Sequence, residues 1–67
     1  MKKRVKGLSE WATNRIANGK RLTKFDMAYE LYRCFPIEYT PVYNYLDAWK
    51  RADVLSFFNN EFNTDAL

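Results

Sequence analysis

Pro36 and the Thr40-Pro41 pair constrain this chain more than any of its other residues. A residue before proline avoids the helical region, so a helix that reaches Phe35 has to stop there. Thr40 followed by proline carries the opposite signal: an N-cap with the ring at the first helical position, where the missing N–H costs nothing. Two helices joined by a prolyl turn therefore occupy the middle of the chain. Only 67 residues surround that turn. A chain of this size buries about 60% of the surface its unfolded form exposes and leaves no room for a deep catalytic cleft. Twelve aromatic residues offset the small size, since each large ring buries on the order of 150 to 250 Å². They supply a core and argue against disorder for most of the chain.

Ser9 is a good N-cap, Glu10 suits the positive end of a helix dipole, and Leu8, Ala12 and Ile16 repeat by four, with Trp11 widening the stripe. These signals predict a first helix over 9 to 18, ended by Asn18-Gly19. Thr23 with Asp26 forms a capping box that opens a second helix, whose Met27, Ala28, Leu31 and Phe35 share one side. The third helix is expected over 40 to 51, with Val42, Tyr45, Leu46 and Trp49 inward. After Asp53 the residues VLSFF are β-branched and aromatic, Asn59-Asn60 tolerates turn geometry, and 61 to 66 can return as a strand. The preferred reading is a C-terminal hairpin, because Phe57-Phe58 puts rings on adjacent faces of a helix. The competing reading runs the third helix on to Phe62, giving an all-α three-helix bundle. No repeat or linker divides the chain, so a single domain over 1 to 67 is expected, with a basic arm at 1 to 7.

Residues 1 to 24 hold eight cations (Lys2, Lys3, Arg4, Lys6, Arg15, Lys20, Arg21, Lys24) against Glu10 alone, a net charge of +7. Residues 25 to 67 reverse the sign, with Arg33, Lys50 and Arg51 facing seven carboxylates, a net of −4. The basic start suits phosphate contact; the acidic remainder opposes uniform coating of DNA. It lacks the apolar run of a signal peptide, and no window approaches the roughly 18 apolar residues of a membrane span. A soluble, cytoplasmic chain is the expectation. Cys34 is the single cysteine and histidine is absent, so neither an internal disulfide nor the usual Cys/His zinc site can form. No P-loop, GxSxG motif or catalytic carboxylate pair is present, and no enzyme, cofactor or small-molecule substrate is expected.

Three helices followed by a two-stranded ribbon give the order of a winged helix-turn-helix. GKRLTKFDMAYEL resembles the start of that family's second helix, TPVYNYLDAW its recognition helix, and RADVLSFFNNEFNTDAL its exit into a wing. The resemblance covers roughly residues 8 to 66. It implies a DNA-binding regulator, of the compact kind encoded by phages and mobile elements, that places helix 40 to 51 in the major groove. Tyr43, Asn44, Asp47 and Arg51 then face base edges, Asn44 suiting adenine and Arg51 guanine. Phosphate contacts fall to Lys20, Arg21, Lys24, Thr40, Lys50 and the arm of Lys2, Lys3, Arg4 and Lys6. Double-stranded DNA is the expected partner, bound by a homodimer or with a partner protein. Two features depart from the family: the turn lacks glycine, and the tip NNE lacks a cation for the minor groove. The alternative is a protein-binding module of the same fold, in which Tyr29, Tyr32, Tyr39 and Tyr43 with nearby carboxylates form the interface. Membrane-surface association through the KKR cluster is the weakest reading, because the first helix offers too little apolar area.

Overall fold

The computed structural model describes residues 7 to 67. Within them the chain forms α1 (Glu10–Ala17), α2 (Lys24–Cys34), α3 (Pro36–Asn44), a 3-10 turn at Leu46–Ala48, and α4 (Arg51–Phe62). The first two helices follow their start signals. Ser9 Oγ accepts from the Ala12 N–H at 3.2 Å. Thr23 and Asp26 close a reciprocal capping box at 3.0 and 3.1 Å. Asn18 caps the end of α1, and Gly19 follows at φ +70°, a conformation that favours glycine.

α2 is the central strut. Its Met27, Ala28 and Leu31 are fully buried with Val54, Phe58 and Phe62 of α4 and with Val42 of α3, while Leu22 and Ala66 complete the core. At ~25 cal/mol per Å², burying each large side chain contributes about 1.5 to 3 kcal/mol. α2 packs chiefly against α3 and α4.

The expected hairpin is absent: residues 51 to 62 form α4, and the described residues contain no strand. The adjacent rings that argued against a helix are both accommodated, because α4 buries two of its faces. Phe58 enters the core, while Phe57 packs against Tyr39 and Trp49 with ring centroids 5.9 and 5.4 Å away. Asn59 is a helix residue rather than a turn. Its side-chain oxygen accepts from Thr64 Oγ at 2.7 Å and the Ala66 N–H at 2.9 Å, folding the tail back so that Ala66 is buried. Asn63 makes the turn in the left-handed region at φ 54°.

The third helix also differs. It starts at Pro36, only one residue after α2, and Thr40 and Pro41 lie inside it. Thr40 Oγ donates to the Pro36 carbonyl instead of capping. The helix ends at Asn44, and an extended Trp49 and Lys50 separate the 3-10 turn from α4. Neither alternative anticipated this break, which no glycine or proline marks. Long-range contacts hold it: Lys24 Nζ donates to the Trp49 carbonyl at 2.7 Å, and the Trp49 indole meets Phe57 edge-on. Tyr45, expected inward, is exposed. Val42 is buried, and Leu46 and Trp49 are half-buried. Trp11, expected to widen the inner stripe of α1, is exposed as well. No helix among the described residues is long and apolar enough to cross a membrane.

Candidate functional site

α2 is apolar on both of its faces. Opposite its buried side, Phe25, Tyr29 and Tyr32 recur at spacings of four and three, which lines them up along the outer surface of the helix. They are 54, 44 and 36% exposed. Tyr43 leans over from α3 and joins all three rings. Its centroid lies 4.7 Å from Tyr32, nearly parallel to it, 5.8 Å from Phe25 and 6.4 Å from Tyr29. On the other flank Trp11 of α1 is 52% exposed. With Phe25, Asp26, Tyr29 and Arg33 it lines an open groove between α1 and α2. Arg15 stacks on the Trp11 ring, 5.3 Å from its centroid, and donates to the Arg21 carbonyl at 2.7 Å.

Beneath this groove sits a buried carboxylate. Glu30 accepts from the Ser9 N–H at 3.2 Å, from Ser9 Oγ at 2.8 Å and from the Arg33 guanidinium at 2.8 Å. The bond to Glu30 pushes the Arg33 pKa up, and Arg33 also donates to the Gly7 carbonyl. Cys34 Sγ donates to the same carbonyl at 2.9 Å, and burial pushes its thiol up. This network fixes the start of α1 against the end of α2, so α1 forms one wall of the groove. From sequence alone Glu30 was assigned no role. A glutamate at the spacing of the inner-face residues was the available signal.

Of the residues expected to touch bases, Tyr43, Asn44 and Asp47 line one open hollow, and Arg51 does not belong to it. Tyr43 is half-buried in the ring cluster. Asn44 and Asp47 are exposed, beside Tyr45 and Ala48. Arg51 turns inward, where its guanidinium donates to the Leu22 carbonyl at 3.1 and 2.6 Å and to a main-chain oxygen of Leu67. Of the expected phosphate contacts, Lys20 and Arg21 are exposed in the loop before α2, Lys50 is exposed at the start of α4, and Thr40 is half-buried inside α3. Lys24 is tethered to Trp49. Lys2, Lys3, Arg4 and Lys6 lie outside the described residues. The bonds from Lys24 and Arg51 bring segments 20 to 24 and 49 to 51 together at the N-terminal end of α2. Gly7, where the described chain begins, sits at the opposite end, against Cys34 and Phe62, about 16 Å away along an eleven-residue helix.

Three of the four tyrosines of the protein-binding alternative, Tyr29, Tyr32 and Tyr43, do come together. Tyr39 faces elsewhere: its phenol donates to Glu61 Oε2 at 2.6 Å, tying α3 to α4. Phe25 and Trp11 complete the surface and were not foreseen there. For Phe25 the signal was present, since it repeats with Tyr29 and Tyr32 at helical spacing on a face apart from Met27, Ala28 and Leu31. Comparison with protein families, with characterised proteins and with solved structures gives no match.

Proposed function

We propose that this chain is a protein-docking module that acts through the outer face of α2. One observation carries the reading: Phe25, Tyr29 and Tyr32 line the solvent side of a helix whose other side is already the centre of the core. Monomeric domains rarely leave a contiguous aromatic surface uncovered. Aromatic side chains are enriched at interfaces because they bury much area while losing little conformational freedom. Tyr29, Tyr32 and Tyr43 each add a phenol to the patch, so a fitting partner brings hydrogen-bonding groups as well as apolar side chains. The groove beside Trp11 gives a docked chain a second wall.

The test is capture of binding proteins from a lysate of the source cell by the wild-type chain and by Phe25→Ser/Tyr29→Asp. Both positions are half exposed, so the variant keeps its helical circular dichroism. At least a tenfold loss of captured protein is expected; equal capture by a folded variant counts against the reading.

A second reading, nucleic-acid binding, is favoured by a different observation. Lys20, Arg21 and Lys50 are exposed at the end of α2 where the tethered Lys24 and Arg51 also lie. Three free cations on phosphates give a log K against log salt slope of about −3 for duplex DNA. Lys20→Ala/Arg21→Ala then weakens binding to all sequences alike. Absence of duplex binding at about 50 mM salt removes this reading and leaves the first intact.

A further inference from the structure

We propose that the occupant of the α2 face is a second copy of this chain, with the two α2 helices antiparallel across a two-fold axis near Tyr29. This rests on the outer face of α2 being a protein-docking surface. The arrangement of charge around the patch supports it. At the N-terminal end of α2 the α1-side rim carries Asp26, and Arg15 is held there by its bond to the Arg21 carbonyl. At the C-terminal end the rim carries Arg33, and Glu10 follows Ser9, which is bound to Glu30. Along the α1-side rim Asp26 and Arg33 thus stand at opposite ends of α2 and Arg15 and Glu10 at opposite ends of α1, in opposite order; Lys20, Arg21 and Lys24 add positive charge at the Asp26 end, and Arg33 is shared with its own Glu30 at the other. A two-fold axis that pairs antiparallel α2 helices brings the α1-side rims of both copies together. Asp26 then meets Arg33 of the second copy, and Glu10 meets its Arg15. Parallel pairing gives no such match. An isologous interface needs this self-complementarity.

The aromatic stripe has the same property. Phe25 and Tyr32 flank Tyr29 by four and three residues, so across the axis Phe25 lies within about 1.5 Å, along the helix, of the partner's Tyr32 level. Trp11, Phe25, Tyr29 and Tyr32 together expose on the order of 400 Å² of ring surface. A standard interface buries about 800 Å² per partner, so these rings supply about half of one. An interface of that size on a small chain is weak, with half-dimerisation expected between about 10 and 100 µM.

Sedimentation velocity of the full chain from about 1 to 300 µM, combined with cysteine cross-linking in a Cys34→Ala background, tests the pairing. The sedimentation coefficient should rise with concentration toward that of a dimer, and Tyr29→Asp should weaken association at least tenfold. Tyr29→Cys should form a covalent dimer under mild oxidation. Phe25→Cys alone should not, because its two copies lie about 12 Å apart along the axis, beyond the reach of a disulfide. Phe25→Cys mixed with Tyr32→Cys should cross-link. A wild-type chain that stays monomeric at about 300 µM overturns the proposal, as does a dimer that Tyr29→Asp leaves unchanged or one that Phe25→Cys cross-links as well as Tyr29→Cys. If the chain is monomeric and Tyr29→Asp still abolishes capture of a different protein, self-pairing alone fails. If capture is also unchanged, the docking reading fails with it.

Discussion

On one side α2 meets α3 and α4 through Met27, Leu31, Val42, Val54 and Phe58; on the other it meets α1 through a carboxylate. The first seam is apolar, without direction, and continuous. The second combines Glu30 accepting from Ser9 and Arg33 in one geometry with a smaller apolar contact, the buried Ala12 and the half-buried Leu8 and Ile16. Apolar burial sums over area, whereas a buried ionic contact balances desolvation against pairing and nets little until one partner is removed. The chain thus has a strong half, α2 to α4, and a conditional one, α1.

The largest way to break this contrast is Phe58→Ala, which removes a fully buried ring from the apolar seam. A loss of about 3 to 5 kcal/mol is expected, comparable with the whole stability of a domain this small. Far-UV circular dichroism should then show the chain largely unfolded at 25 °C. Glu30→Ala comes next, at about 1 to 3 kcal/mol, because Ser9 and the partly exposed Arg33 lose their acceptor. Its effect should be local: hydrogen exchange speeds up at the amides of α1 and stays slow in α4. Uniform acceleration in both helices would erase the distinction between the halves.

Asn59→Ala releases the tail that covers one end of the apolar seam and should cost about 1 kcal/mol in urea unfolding, with no change in exchange from α1. The smallest effect is on pH dependence. Burial, aided by the bond to Glu61, holds the Tyr39 phenol above its ordinary value of 10.0. Burial likewise lifts the Cys34 thiol above 9.0. In each case the unfolded chain releases its proton first, so stability is complete at neutral pH and declines as pH rises past those values. Cys34→Ala should remove the decline that begins near 9.0 and Tyr39→Phe the one near 10.0, each followed by thermal melts between pH 8 and 11. The two variants sharpen the contrast, since Cys34 lies beside Gly7 and Tyr39 between α3 and α4.

The helix starts at Ser9 and Thr23 were legible because a cap and its partner lie three residues apart, within one turn. The inner face of α2 was legible for the same reason. What failed depended on distant partners. The break at 45 to 50 is held by Lys24 and Phe57, and the helical state of 51 to 62 depends on α4 having two covered sides, which adjacent rings alone do not reveal. Pro36 carries both signals at once, ending one helix and occupying the first position of the next. Reading only the first displaced α3 by four residues. Of the site, Tyr29, Tyr32 and Tyr43 could be grouped from their chemistry, while Phe25 and Trp11 were assigned no place on that surface. Arg51 looked free in sequence and is engaged with Leu22.

The joint at Phe35 is a single residue long. Every amino acid inserted there would turn α3 by about 100° relative to α2, carrying Val42 out of the interior and Tyr43 away from Tyr32. Length variation among natural versions of this chain should therefore avoid that joint and collect in the loop between α1 and Leu22, where no side chain packs over Gly19 and Lys20 and Arg21 are exposed.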